Sequence, residues 1–350
     1  MSMSRMLAGL TVALLASSLA SRSLEAATLL VANKSEATVS LVDLGSGKVA
    51  ATLPVGTGPH EIAVSPDGRL ALVANYGAQQ AGSSLTLLDV PGAKVVKTIE
   101  LGEYRRPHGL VFLDGRRAVV TSEDSKSLLE VDVEAGKVTR AIPTGQEASH
   151  MVAVTPDGSR AFIANLGSGT MTAIDLKAGK SLGDVKTGAG AEGIDVTPDG
   201  KHVWVTNREA DTVTVVDAKT LEIVGSVPSA SFPIRAKATP DGKHVLVSNA
   251  KSGDLSVFTA ADRKLARRVA LPVKSAADKQ GRLMTAFGDS SVPIGILVEP
   301  DGKRAFVAHA NGDAISIVDL GKWKRAGSIT AGKEPDGMGY SKLNVKKAGS

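Results

Sequence analysis

Residues 59–68 read PHEIAVSPDG: a proline-led pair, a short apolar run, then a tight turn. Proline presets φ at the start of such a turn, and glycine accepts the positive φ that closes it. The turn returns as TPDG at Thr155, Thr197 and Thr239, as EPDG at Glu299, and as LDG at Leu113. The proline-led half returns alone from Pro335 to Tyr340. The turn aspartates Asp67, Asp114, Asp157, Asp199, Asp241 and Asp301 follow one another at intervals of 47, 43, 42, 42 and 60 residues. A period near 42 is the size of a four-stranded propeller blade, not of a helical repeat.

Each repeat carries four apolar runs in fixed order. Run A precedes the P-D-G turn, run B ends in Asn except at Ser122 and His309, run C ends in Asp except at Thr259, and run D stops before Gly or Pro. The B runs are ALVAN (71–75), AFIAN (161–165), HVWVTN (202–207) and HVLVSN (244–249). A sheet with one wet face would alternate strictly, so near-continuous apolar strands require cover on both faces. Blades packed face to face around an axis supply it. The Asp closing run C bonds local backbone N–H groups at its turn.

Run A starts seven times, at Pro59, Pro107, Ser149, Ala191, Pro233, Pro293 and Pro335. The chain opens at Thr28 on a B run, so only residues 335–340 can complete that first blade. The expected class is all-β: a seven-bladed β-propeller of four antiparallel strands per blade, closed by N-terminal strands B, C and D pairing with a C-terminal strand A. Closure removes the open edges of a linear array. Three segments follow: a signal peptide over 1–27, the propeller over 28–341, and a basic tail over 342–350 with Lys342, Lys346 and Lys347.

Arg5 precedes an apolar, small-residue stretch from Leu7 to Ala20, too short for a membrane span. Ser18-Leu19-Ala20 offers a small-x-small cleavage site, so cleavage is expected between Ala20 and Ala27, with a periplasmic or secreted product and no integral span. The chain has no cysteine, which excludes disulfides, thiolate catalysis, iron–sulfur clusters and C-x-x-C-H haem attachment. The 41 basic and 36 acidic residues leave a dispersed +5, and aromatics are 3%, which argues against nucleic acid as a partner.

VAN at Val31 and Val73, TVTVVD at Thr212 and the PHEIAVSPDG phrase together resemble the YVTN-repeat, YncE-like family of exported seven-bladed β-propellers. The resemblance spans Thr28 to Tyr340 and implies the fold; it does not fix a function. More distantly the chain is similar to the propellers of amine dehydrogenase heavy chains and bacterial lactonases, without a cofactor or catalytic motif that can be carried over.

The P-D-G and C–D turns share one face of such a ring; the D–A and B–C connections share the other. Both irregular insertions, 76–84 and 271–292, fall on this second face, where binding loops are expected. The 271–292 insertion carries Lys274, Asp278, Lys279 and Arg282 around Leu283, Met284 and Phe287, and is expected beside the channel mouth with a short helix. The residue after each A start should rim that mouth: His60, His108, His150, Glu192, Ile234, Ile294 and Asp336. Three of the six histidines occupy this one position. Ring closure places Asp336 beside His60, giving an arc of Asp336, His60, His108, His150 and Glu192.

Three imidazoles with a carboxylate suit a divalent zinc, copper or iron ion. The expected ligands are His60, His108, His150 and Glu192, with Asp336, His309 and Arg235 as supporting or additional groups. The same pattern follows from duplication of a histidine-bearing strand start, in which case the rings cap strands and bind nothing. Gly109, Gly193, Gly295 and Gly337 are expected where strands approach closely. Arg105, Arg106, Arg208 and Arg235 read as solvated cations on this face, and His202 and His244 as exposed turn residues on the other.

The chain has no G-x-S-x-G, no H-E-x-x-H and no phosphate-binding glycine loop. The sequence therefore reads as an exported binding or scaffold propeller with a ligand or metal site at the channel mouth, meeting a protein or small molecule there. The alternative is a metal-dependent enzyme of lactonase, lyase or oxidoreductase type. Its general base would be His60, His108, His150 or Glu192.

Overall fold

Strand β1 (Thr28–Asn33) is buried at all six positions. Leu29 and Val31 pack with Phe306, Ala308 and Ile315 of the sheet on one side. Leu30 and Ala32 pack with Ala71, Val73 and Leu88 of the sheet on the other. A strand apolar throughout is thus covered on both faces, and the core lies between blades rather than inside one. The computed structural model describes residues 27–276, 282 and 287–346.

Among the described residues, 28 strands form seven four-stranded antiparallel sheets. Blade 1 is β28 (Pro335–Ser341), β1, β2 (Thr38–Asp43) and β3 (Lys48–Pro54), in that order. Blade 2 is β4 (Pro59–Val64), β5 (Leu70–Gly77), β6 (Ala81–Asp89) and β7 (Lys94–Glu100). Blades 3 to 7 span 107–143, 149–186, 191–228, 233–270 and 293–329, each innermost strand first. The seven innermost strands touch in sequence around the axis, β28 lying between β4 and β24 (Pro293–Val298).

Closure follows the sequence reading. β28 pairs with β1, Tyr340 opposite Leu29 and Ser341 opposite Thr28. Beyond it, the Leu343 carbonyl accepts from Thr28 Oγ1 at 2.8 Å, Val345 packs against the core between blades 1 and 2, and Lys346 N donates to the Pro91 carbonyl at 2.8 Å. The described part of the tail therefore lies along the propeller.

Repeated polar contacts hold the blades. Asn33 Nδ2 donates to Thr38 and Ser40 hydroxyls at 3.0 and 2.9 Å, and Asn165 and Asn207 make the same pair of bonds to Thr170 and Thr172, and to Thr212 and Thr214. The run-C aspartates bond their turns, as Asp43 does to Ser46 N at 2.6 Å and Asp132 to Ala135 N at 2.8 Å. Adjacent innermost strands come close at the glycine position: a Cβ on Gly295 would lie 2.2 Å from the Asp336 carbonyl oxygen, and one on Gly337 2.3 Å from that of His60.

Three local expectations change. The 76–84 insertion is not a loop but a longer β5–β6 hairpin, in which pairing continues past Asn75 to Gly77 and Ala81. His202 and His244 are half-buried first residues of their strands, and His244 stacks edge-on to Trp323 at 4.8 Å. Arg235 is 7% exposed, not a solvated cation.

In the second insertion, Phe287 packs on Phe232 at 4.7 Å, and Arg282 forks onto Asp313 and donates to the Ala310 carbonyl. These contacts put it on the face of the D–A connections. Asp278, Lys279, Leu283 and Met284 of its expected helix lie outside the described residues, as do the expected signal segment before Ala27 and Lys347. No helix among the described residues is long and apolar enough to cross a membrane.

Candidate functional site

One backbone device, repeated in every blade, builds the site. The residue before each innermost strand adopts a left-handed conformation, from φ 52° at Arg106 and Ala148 to φ 70° at Gly190. Its carbonyl accepts the N–H of the residue after the Asn position of strand B, at 2.9–3.2 Å: Lys34, Tyr76, Glu123, Leu166, Arg208, Ala250 and Ala310 in blades 1 to 7, Tyr76 alone still lying within its longer strand. Each blade therefore presents two side chains at the mouth, the second residue of strand A and the residue after the Asn position of strand B. Both belong to the face of the D–A and B–C connections.

The arc is brought together. The His60 and His108 ring centroids are 5.0 Å apart, and those of His108 and His150 are 3.7 Å apart. His60, His108, His150, Glu192 and Asp336 are 6, 2, 7, 4 and 2% exposed. His60 Nδ1 lies 2.9 Å from the Gly58 carbonyl, which can only accept, so Nδ1 carries the proton and Nε2 the lone pair. His108 Nδ1 and His150 Nε2 are buried without a hydrogen-bond partner. His150 Nδ1 lies 2.5 Å from Glu123 Oε1, and Glu123 Oε2 accepts the Tyr76 hydroxyl at 2.7 Å. One donor atom each from His108, Glu123 and His150 lies within 4.8 Å of the others. An ion bound at about 2.1 Å needs donors about 3.4 Å apart, so the Glu123 Oε1–His150 Nδ1 pair, now at 2.5 Å, would open to admit it while any wider separation closed.

The remaining polar groups balance charge. Glu192 Oε1 stands 3.6 Å from His150 Nε2. Arg208 donates to Glu192 Oε2 at 2.8 Å and Arg235 to its Oε1 at 3.3 Å, so both oxygens face guanidinium. Arg235 Nη2 also reaches Glu61 Oε1 at 2.7 Å, spanning the axis from blade 6 to blade 2 and plugging the channel. Asp336 pairs with Lys34 at 3.0 Å. The other side of the mouth is apolar, with Ile234, Ile294, Ala250 and Ala310 packed under Phe232 and Phe287.

His309 does not join the centre. It stands at the end of strand B in blade 7, in the place that Asn fills in blades 1, 2, 4, 5 and 6, and both ring nitrogens are engaged locally: Nδ1 with Ser291 Oγ at 2.8 Å and Nε2 with Ser316 Oγ at 2.9 Å. Arg105 is exposed.

The environment splits the histidines. Burial, then Lys34, lowers His60 to about 3. Burial, then the flanking His150 and His60, holds His108 well below its ordinary value. Burial would also lower His150, but Glu123 and then Glu192 carry it up to about 9. Burial pushes Glu192 up; His150, Arg208 and Arg235 overcome it and hold the carboxyl at about 2. Burial raises the Tyr76 phenol, reinforced by the Glu123 carboxylate beside it. His108 is thus a neutral donor between a neutral His60 and a cationic His150.

Glu123, Tyr76, Lys34 and Glu61 were not among the sequence candidates. The first three follow the Asn position of strand B, and aligning the residue there would have shown it to be charged or aromatic in four blades of seven.

The model for the YncE-like beta-propeller family matches residues 11–118 and 177–279. No curated protein matches the chain. Among solved structures, a chain titled Kuenenia stuttgartiensis hydrazine synthase is similar with a TM-score of 0.68 and 19% identity, over 83% of this chain and 92% of that one, a likeness of fold alone. With more than half of its length matched and seven four-stranded blades in a closed ring, the chain belongs to the YncE-like β-propeller family.

Proposed function

We propose that this chain is a binding propeller that holds a divalent transition-metal ion at the histidine end of its axis, through His108, His150 and Glu123, with His60 Nε2 as the next donor. One observation carries the reading: Glu123 is 7% exposed, pairs with no Lys or Arg among the described residues, and adjoins both His150 Nδ1 and His108, whose Nδ1 is buried without a hydrogen-bond partner. A buried carboxylate demands a positive charge beside it. A proton on His150 supplies one. A metal ion supplies one too, and it also engages the imidazoles.

Two imidazoles and a carboxylate suit zinc, copper or iron. Glu192, first read as a ligand, serves here as the charge partner of Arg208 and Arg235. The apolar stretch from Leu7 to Ala20 supports export, and the insertion-bearing face is where a partner would dock. A metal-dependent enzyme of lactonase, lyase or oxidoreductase type is the second reading, because two histidines and a carboxylate leave coordination positions open. The burial of every arc residue favours binding over turnover.

Calorimetric titration of chelator-stripped protein with zinc or copper tests the reading. The wild type should take up one equivalent, His108→Ala and His150→Ala should lose it, and His309→Asn should keep it. Equal uptake by the wild type and the His108→Ala/His150→Ala double variant would overturn the site.

A further inference from the structure

One member of the cluster is only half-buried. Tyr76 stands at the end of β5, where the pairing with β6 shifts register between Asn75 and Gly77. Such irregularities re-aim side chains. Gly77, at φ 92°, is required there, since a Cβ would lie 2.3 Å from both Gln80 O and Gly82 N. The result places the Tyr76 ring 4.3 Å from His60 and 5.5 Å from His108, while its hydroxyl crosses to blade 3 and donates to Glu123. Arg106, with its side chain 24% exposed, stacks on the same ring at 4.8 Å. Its N–H donates to the Gly82 carbonyl at 2.8 Å and its Nη2 to the Ala78 carbonyl at 3.4 Å, and residues 78–80 at the hairpin tip are exposed.

We propose that Tyr76 is a positioning residue for the metal centre and its gate: the hydroxyl holds Glu123 with Oε1 towards His150, and the ring covers His60 and His108 until the β5–β6 hairpin lifts. The positioning half rests on the metal reading above; the gating half does not. A carboxylate fixed through one oxygen presents the other in a defined pose, and removing such a support costs roughly 10- to 100-fold in metal affinity. The base of the hairpin is tied by Tyr76 N–H to the Gly58 carbonyl at 3.1 Å and Gly77 N–H to the Thr57 carbonyl at 2.9 Å, whereas the tip at 78–80 is exposed and belongs to the low-stability end of a fold, where lids are found.

The test uses the full chain, stripped of metal, as wild type, Tyr76→Phe and Tyr76→Ala, with cobalt(II) as the probe. Tyr76→Phe keeps the ring and loses the hydroxyl bond. It should bind cobalt at least roughly tenfold more weakly, with a changed visible absorption band, an unchanged association rate constant and wild-type melting. Tyr76→Ala should raise the association rate constant by an order of magnitude. In the absence of metal it should also speed acylation of His60 and His108 by diethyl pyrocarbonate, mapped by mass spectrometry, by a similar factor. Tyr76→Leu serves the gating arm should the alanine variant fail to fold.

Wild-type affinity and absorption in Tyr76→Phe would overturn the positioning role. Wild-type association and acylation rates in Tyr76→Ala or Tyr76→Leu would overturn the gate. Wild-type protein that takes up no cobalt removes the metal reading and the positioning role together, and the acylation rates then decide the gate alone.

Discussion

Replacing Glu123 by glutamine removes the carboxylate nearest His150 and keeps an acceptor for the Tyr76 hydroxyl. In the metal-free wild type, folding raises His150 from 6.5 to about 9. A group whose pKa rises on folding stabilises the fold fully below its unfolded value, and that stability drains away as pH climbs through the folded one. The window therefore runs from pH 6.5 to about 9, with a slope of about 1.4 kcal/mol per pH unit and a total of about 3 kcal/mol. Glu123 touches Nδ1 at 2.5 Å, whereas Glu192 stands 3.6 Å from Nε2 and is already matched by Arg208 and Arg235. Glu123 accordingly carries the larger share, and Glu123→Gln should cost about 2 kcal/mol at pH 6 and very little at pH 9.5. Urea unfolding by circular dichroism, in chelator, from pH 5.5 to 9.5 measures both curves. The acid limb is an internal control: His60 and His309, each lowered to about 3, hold stability that is present above 6.5 and lost as pH falls, and it should survive the substitution. Wild-type and variant curves that stay parallel from pH 6 to 9.5, or a wild type with no alkaline decline, would refute the charge assignment at His150.

A chain ending at Gly332 lacks β28, exposes the inner edge of β1 and should lose its cooperative calorimetric transition; melting like the full chain would contradict the closure. Gly295→Ala drives a Cβ to 2.2 Å from the Asp336 carbonyl and should destabilise by at least about 2 kcal/mol in denaturant, whereas a neutral result would mean the inner strands are not packed this tightly. Asn165→Ala removes a buried side chain that donates to Thr170 and Thr172 and accepts from Ser149, at a cost of about 3 kcal/mol by chemical denaturation; a cost below about 1 kcal/mol would show the Asn column to be dispensable.

Much of this was open to the sequence, for a physical reason. Blade geometry is set by turn chemistry and by strands buried on both faces, and each leaves a mark every 42 residues or so: Asp199 and Asp241 at the turns, HVWVTN and HVLVSN in the walls. The ring position of His60, His108 and His150 follows from the same phase. What stayed hidden depends on contacts between blades. The Glu61–Arg235 pair spans the axis from blade 2 to blade 6, and no alignment of one repeat with the next shows which blades face each other. Glu123 was hidden because its blade ends strand B in Ser122 instead of Asn, which blurs the position after it. His309 was misread in the opposite sense. It fills an Asn position, and its ring does what the amide does elsewhere, bonding the hydroxyl of Ser316 on strand C.

The placement of those hidden residues bears on whether the histidines were merely copied. Duplication of a strand start accounts for His60 and His108, which both follow proline, and less well for His150, which follows Ser149. It does not account for Glu123, because the equivalent residues of the neighbouring blades are Tyr76 and Leu166. Nor does it account for the hairpin that carries Tyr76, since in the other blades pairing between strands B and C stops at the Asn position, as at Asn33 and Thr38, or at Asn165 and Thr170. A copied imidazole buried for capping alone would be cheapest neutral and bonded to its own blade, as His309 is. His150 instead leans on a carboxylate from blade 3, and that carboxylate is held by a phenol from blade 2. Three blades contribute three different side chains to one contact, a convergence that copying of a single strand start does not produce and that supports the proposed ligand site.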